Sequence, residues 1–489
     1  MTDASKTPSK AFVAKRYAAE RRFRAYGVAA LVVTTTFLAI LLFDIVSRSI
    51  PAFTQHHAVL SVSVDPAKVD AANIAAGDFD GLVKAAWRAQ FPGVTSRGDR
   101  RPMNGLLSNG AGDELRRRVM ADPGLIGKDV MVPVLFSDDA DLHFKGMSTD
   151  VERATGKGPL AIRQDGERFF LEASDLKPGQ IVIANGGSLR VGKDGSAEVL
   201  AAPAGAATLQ EGQWSTVFFK TPETERKLDD KESAWLEMFR ESGTVERQIA
   251  WNFFLNGDSR EAELAGILGS MVGSLLVVFV TVVVSLPVGI AAAIYLEEFA
   301  PKNRWTEIIE VNINNLAAVP SIIFGLLGLA VFLGIFGMPR SIPLVGGLVI
   351  ALMSLPTIII ASRAAVRAVP PSIREAALGV GASHQQAVFH HVLPLAMPGI
   401  MTGTILTIAS AIGETAPLLL IGMVAFIVDI PAGFMDSATV LPVQIYLWSD
   451  LPEKAFEART AAAIVVLLVV MLLLNALAII LRKRFERRW

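Results

Sequence analysis

The sequence contains no cysteine. Disulfides and thiolate metal sites are therefore excluded, although the compartment stays open. Charge is also scarce. Asp, Glu, Lys and Arg make up 19% of the 489 residues, against about a quarter in an ordinary soluble domain. No G-x-x-x-x-G-K-[ST] stretch is present. Gly156-Lys157-Gly158 and Gly192-Lys193-Asp194 lack the upstream glycine and the Ser/Thr that would hold phosphate and Mg²⁺. No Rossmann or kinase fingerprint occurs, and no nucleophile–base pair stands out. No catalytic residue, cofactor site, metal site or nucleic-acid partner is expected. Any ATP chemistry would belong to another chain.

The scarcity of charge is uneven. Residues 50–263 carry 25 Lys+Arg and 32 Asp+Glu, as many as a soluble protein would. The other 275 residues hold only 21 and 15. One soluble globule is thereby excluded, and a membrane protein with one sizeable soluble domain is implied. The net charge of −1 hides a basic N-terminal tail (1–26, +5), an acidic middle (−7) and a basic C-terminus (482–489, +4).

A bilayer core of about 30 Å needs roughly 20 apolar residues in a helix. Six runs qualify: 27–47, 265–296, 311–339, 341–362, 392–413 continuing past Glu414 to Val428, and 460–481. Pro287 is expected to bend the second. Lys/Arg bias sets the orientation. Lys6, Lys10, Lys15, Arg16, Arg21, Arg22 and Arg24 precede the first run, and Arg482, Lys483, Arg484, Arg487 and Arg488 follow the last. Both termini, and the 297–310 and 363–391 loops, are then cytoplasmic, with residues 50–258 outside. The first run lacks a small-x-small cleavage site and reads as a retained anchor.

The outer segment reads as α+β. Strands are expected at Ala58–Val64, Val130–Phe136, Arg168–Leu171, Ile181–Ala184 and Thr216–Phe219. Thr224–Ser242 has helical spacing in Trp235, Met238 and Phe239. Pro203–Gln213 reads as a linker or loop. His56, His57 and His143 read as solvated rather than metal-binding. Arg116-Arg117-Arg118 reads as a surface helix face, with anion docking as the alternative.

The strongest signal is 371–394. Ser372 and Glu375 have capping-box spacing, and Ser383 and Gln386 repeat it. Gly381 lies between, where a helix ends at positive φ. Two short helices around a turn would make a knob able to pass a rigid-body push to the adjoining spans. Glu375-Ala376-Ala377, Gly381 and Leu393-Pro394 also resemble the EAA loop of ABC importer permeases. The aliphatic residue frequent two positions before Leu-Pro in that family is His391 here. The resemblance implies that the loop docks on an ATPase subunit. Ser372, Glu375, Ala376, Ala377, Gly381 and Ser383 are then the coupling residues. A purely structural reading, in which Glu375 only caps a helix, is compatible with this.

Further stretches resemble the permeases of phosphate importers: Gly289–Pro301, Asn315–Leu329, Leu355-Pro356-Thr357 and Gly413-Glu414-Thr415-Ala416-Pro417-Leu418. Gln444–Asp450 resembles the PstA-type subunit. The resemblance covers about 250–489 and the first span. It implies a membrane all-α fold, the MetI-like core of binding-protein-dependent importers, with six transmembrane helices and an inserted α+β periplasmic domain. It also implies partners: a second homologous permease, two ATP-binding subunits that hold ATP and Mg²⁺, an extracytoplasmic phosphate-binding protein and the lipid bilayer. The expected function is inorganic phosphate import across the inner membrane. The alternatives are another oxyanion, such as sulfate or molybdate, or a membrane receptor.

Glu414 in mid-span costs about 2.5–3.5 kcal/mol. It could pair with an arginine, stay protonated and donate a hydrogen bond, or cap a broken helix near Pro417. Many relatives carry Arg four residues earlier, where this chain has Ser410. Arg363 or the partner permease could supply the charge, though Arg363 is more simply a positive-inside residue. Glu414, Thr415, Ser321, Ser410 and Arg363 are the pathway candidates. Pro320-Ser321 and Pro356-Thr357 mark kinks that could expose polar groups.

Overall fold

The structure is a computed structural model that describes residues 10–166, 168–173, 175–193 and 196–485. Asp3, Lys6, Asp194, Arg487 and Arg488 lie outside the described residues.

The uncharged runs form long helices, with shorter helices between them. They are α1 (Lys10–Ser49), α2 (Leu268–Phe299), α3 (Arg304–Ala317), α4 (Ser321–Ile335), α5 (Pro343–Arg367), α6 (Pro371–Gly379), α7 (His384–Ile412), α8 (Leu441–Ser449) and α9 (Lys454–Phe485). Among the described residues, five helices are long and apolar enough to cross a membrane, or six if α3 and α4 together make one span.

The expected third span, 311–339, is not straight. α3 and α4 meet at 102°. Pro320 has no N–H to continue the helix, and its ring pushes Val319 away from helical torsions. Nor does the fifth run continue past Glu414. α7 stops at Ile412, a short helix covers Ala416–Leu420, and Gly422 turns the chain at φ +94°. Pro417 accounts for the break, since in a continuous helix its ring would strike the carbonyl of Gly413.

α5 is the most buried helix and packs along α2 and α7. At Gly347 a Cβ would stand 2.4 Å from Val280 Cβ, so only glycine lets α5 approach α2 this closely. α9 packs on both α1 and α7. α1 is otherwise almost wholly exposed.

Between α1 and α2 lies the α/β unit. Its first sheet is antiparallel, in the order Val245–Ile249, Thr54–Ser63, Asp129–Leu135. The chain enters and leaves the unit on paired strands, with Thr54 opposite Ile249. Trp87, Phe136, Trp235 and Phe239 fill the core beside this sheet, with Trp87 and Phe239 edge-on at 4.9 Å. The second sheet has eight antiparallel strands. Their order is Val151–Thr155, Trp214–Phe219, Ile181–Ala184, Gly187–Val191, Ser196–Ala201, Arg168–Glu172, Leu160–Asp165, Ala207–Leu209.

All five expected strands form. The expected helix is Asp230–Glu241, opened by an Asp229–Glu232 capping box. Pro203–Gln213 is loop apart from the edge strand Ala207–Leu209. The arginine triplet lies on the surface helix Asp113–Ala121, where Arg117 and Arg118 pair with Glu114.

The histidines are not solvated as expected. His143 is buried against Glu237, 2.7 Å away. His56 is half-buried, 2.8 Å from Asp141. Burial lowers the pKa of His57. Carboxylate partners, invisible at distant positions in sequence, explain how His56 and His143 tolerate burial.

Polar contacts seat the unit on the helices. Gln55 donates to the Glu263 carbonyl at 2.6 Å, Lys145 to that of Pro51 at 2.7 Å, and Trp448 to Asp258 at 3.0 Å. Arg459 of α9, buried, donates to the Ala265 carbonyl.

Candidate functional site

The 371–394 loop joins α5 to α7. α6 begins at Pro371, a favoured first helical residue. Ser372 therefore lies inside the first turn and makes no cap, contrary to the expected Ser372–Glu375 box. The Ser383–Gln386 box does form, with both reciprocal bonds, at 2.9 and 3.3 Å. Gly381 sits between at φ +89°, a left-handed conformation that disfavours any Cβ. The second short helix is not separate. It runs through a π-helical stretch, Ala387–Val392, into α7. The knob is thus one short helix and the exposed start of a long one. Glu375 and Ala376 face solvent, as do Leu378 and Val380, while Ala377 packs inward. His391 also faces out, and Val392 fills the core position beside it.

Arg363 does not reach Glu414. It donates to Glu297 at 2.9 Å and pairs with Glu310 at 2.7 Å. Arg367 joins Glu297 from the next turn of α5, at 2.7 Å. This group ties α5 to the end of α2 and to the middle of α3.

A second site lies where α4, α5 and α7 meet below the α3–α4 bend. A cavity of about 380 Å³ is lined there by Ser321, Ser354, Thr357, Thr407, Ser410 and Glu414. Leu316, Phe324, Met353 and Leu406 are among its apolar walls. The break after Ile412 is what delivers Glu414, which is half-buried rather than enclosed in a straight span. Among the described residues Glu414 has no ion-pair partner, and no Lys, Arg or His lines the cavity. Ser410 and Thr407 donate to carbonyls of their own helix, at 3.1 and 2.9 Å. Their oxygens remain able to accept. Among the described residues the buried Ser354 hydroxyl has no hydrogen-bond partner. Thr415 and Arg363 are not part of the lining.

Such a cavity offers donors and acceptors to a small polar solute, with one carboxylate and no cation of its own. Ser354 and Thr407 escaped the sequence reading. Their signal is spacing. Ser354 and Thr357 are three apart on α5, and Thr407, Ser410 and Glu414 follow at three and four.

Residues 285–489 match the family described as binding-protein-dependent transport system inner membrane component. Residues 10–153 match a domain of unknown function, DUF3333. A probable ABC transporter permease protein, YqgI of Bacillus subtilis (strain 168), is 32% identical over 172 residues. That match covers 35% of this chain and 58% of YqgI, so this chain spans less than two-thirds of that relative. The phosphate transport system permease protein PstA 1 of Mycobacterium tuberculosis (strain CDC 1551 / Oshkosh) is 30% identical over 248 residues, 51% of this chain and 81% of that one. Among solved structures, an inward-facing MetNI methionine ABC transporter overlaps 45% of this chain and 94% of its own at 18% identity, with a TM-score of 0.36.

Proposed function

The chain belongs to the PstA-type phosphate transport system permeases, and we propose on that premise that it is the permease subunit of an ATP-driven importer of inorganic phosphate. The observation that carries this reading is the similarity to a phosphate permease over four-fifths of that protein's length. As a multi-pass inner membrane protein it has six spans, with α3 and α4 together counted as one. Both termini and the 371–394 loop face the cytoplasm. The α/β unit faces the periplasm.

A second, homologous permease completes the pathway, with the cavity around Glu414 turned toward the shared axis. Two ATP-binding subunits dock on the two exposed knobs, and a periplasmic binding protein delivers phosphate. In this chain Ser372, Glu375, Ala376, Ala377, Gly381 and Ser383 shape the docking knob. Ser321, Ser410 and Glu414 line the pathway with Thr415 beside them at the helix break, whereas Arg363 holds α2, α3 and α5 together. ATP-driven closure of the ATPase pair moves the knobs and switches access between the two sides. The cavity carries a carboxylate and no cation, so the positive charge for an anionic solute comes from the second permease.

The test is uptake into proteoliposomes holding the assembled complex and its binding protein. Phosphate uptake should require ATP and resist excess sulfate and molybdate. Equal competition by either oxyanion would assign the complex to a different substrate.

A further inference from the structure

The coupling helix α6 is connected through the chain to α5 and α7. A displacement of α6 reaches those two spans covalently. α2 has no such connection, since its nearest residues lie more than seventy positions upstream. Side chains nonetheless join α2 to α6. Arg374 of α6 donates to Glu298, near the end of α2, from Nη2 to Oε1 at 2.6 Å and from Nε to Oε1 at 3.0 Å and Oε2 at 3.3 Å. The same guanidinium donates to the Val366 and Val369 carbonyls at the end of α5, at 3.0 and 2.7 Å. The Glu298 side chain is only 5% exposed and that of Arg374 23%. From the other side of the turn, His384 donates through Nε2 to the Glu298 backbone carbonyl at 2.8 Å, and its ring meets Phe299 edge-on at 5.1 Å.

We propose that the Arg374–Glu298 pair is a clamp that makes α2 a third span driven by the coupling helix. This rests on the reading of α6 as the ATPase docking knob. Three features favour a transmitting role over simple capping of α5. The fork is charge-assisted and largely removed from water, so it resists shear in a way that a single exposed pair does not. It grips α2 at a π-helical turn, Tyr295–Phe299, and α7 carries a second π-helical stretch just after His384. Such turns occur often at functional sites. Finally, α2 starts at Leu268, just after the segment in which the Glu263 carbonyl accepts from Gln55 of the α/β unit and Asp258 accepts from Trp448 of α8. A stroke delivered to α6 therefore has a route along α2 to the segment that contacts the unit. Arg374 and Glu298 act as positioning residues, with no contact to a solute.

The experiment uses the full complex in proteoliposomes. The chain has no native cysteine, so Lys302→Cys, just beyond α2, and Gly379→Cys, at the exposed end of α6, can carry the only spin labels on it. Their separation is read with and without a non-hydrolysable ATP analogue. In the wild-type background one narrow distance distribution should persist in both states, because the two ends move as one body. Glu298→Gln and Arg374→Ala should split or broaden it with nucleotide. They should also lower phosphate imported per ATP hydrolysed by about 2- to 30-fold, the range of coupling effects from single positions. Arg374→Lys keeps the charge but not the fork, and serves if the alanine variant does not assemble. The exchange Glu298→Arg with Arg374→Glu should recover much of the loss, since the pair and not either residue is at issue. A wild-type distance that shifts with nucleotide overturns the proposal, as do variants with unchanged transport per ATP. If the wild-type complex imports no phosphate, the transport reading fails by itself. The distance measurement needs no solute and still decides the clamp.

Discussion

His143 and Glu237, ninety-four residues apart, meet at 2.7 Å with side chains 1% and 3% exposed. Arg153 adds two bonds to the same carboxylate, at 2.6 and 2.8 Å. Burial alone would push Glu237 up, but the bonds from Arg153 and His143 outweigh it and hold the carboxyl down at about 2. Glu237 thus stabilises the α/β unit above its ordinary value of 4.5, and loses that contribution as the pH falls from there toward 2. Glu237→Gln should destabilise the unit by about 3 kcal/mol at neutral pH. The deficit should shrink below pH 4. Denaturant melts of the whole protein, followed by tryptophan fluorescence, would show it.

Glu263 behaves in the opposite sense. Burial is the main cause, with Asp138 and Glu261 adding to it against a bond from Ser108, and the carboxyl is pushed up to about 7. The folded state then holds a proton between 4.5 and about 7 that the unfolded state gives up, so stability falls as the pH rises through that window. Glu263→Gln should remove this slope and raise stability at pH 8 by on the order of 2–3 kcal/mol. Melting temperatures from pH 5 to 8 would reveal a persistent slope if another group is responsible.

Gly381 holds φ +89° between α6 and α7. Valine there is strained in the left-handed region and should distort the knob at a cost of about 1–3 kcal/mol. ATPase subunits should co-purify less well with the Gly381→Val complex, and phosphate uptake should be lost. Wild-type association and uptake would separate this turn from coupling.

Glu414→Gln keeps the shape of the cavity lining and removes the only carboxylate among its described residues. If the charge is used in transport, the variant should take up phosphate at least about tenfold more slowly, a loss of roughly 1.4 kcal/mol or more. The pH profile of uptake should also change. A rate matching wild type at every pH would leave Glu414 a structural residue at the helix break.

Replacing 55–248 by a short flexible linker should leave α1 and α2 in place, because Thr54 and Ile249 are already cross-strand neighbours. Uptake by the shortened complex, with and without its binding protein, measures what the unit contributes. A shortened chain that cannot join the complex would make the unit part of its assembly.

Much of this architecture could be read in advance where one physical signal dominates. Uncharged runs gave helices, and apolar runs bounded by Gly and Asp gave strands. Val151–Thr155 stayed hidden because it is a sheet edge of largely exposed, polar residues, which carry no alternation. The two serine boxes look alike in sequence. Only Ser383 caps, because Pro371 moves the start of α6 one residue ahead of Ser372. The Glu414 cavity was half legible. Ser321, Ser410 and Glu414 were singled out, but which residues meet at a bend depends on the 102° angle at Pro320, which local sequence does not specify. Partners distant along the chain, such as Glu297 for Arg363 and Glu237 for His143, leave no local trace.

The strand pair that opens and closes the α/β unit also sets an order of events during synthesis. Thr54–Ser63 is the central strand of its sheet, with Asp129–Leu135 on one side and Val245–Ile249 on the other. Ribosomes add about 5–20 residues per second. The second partner therefore emerges roughly 10–40 s after the first strand. Through that interval the central strand has at least one open edge, an aggregation hazard while the chain is incomplete. Pairing with Asp129–Leu135 becomes available as soon as that strand emerges, before the eight-stranded sheet is complete. The last strand then closes the remaining edge, and α2 starts only after that closure has become possible.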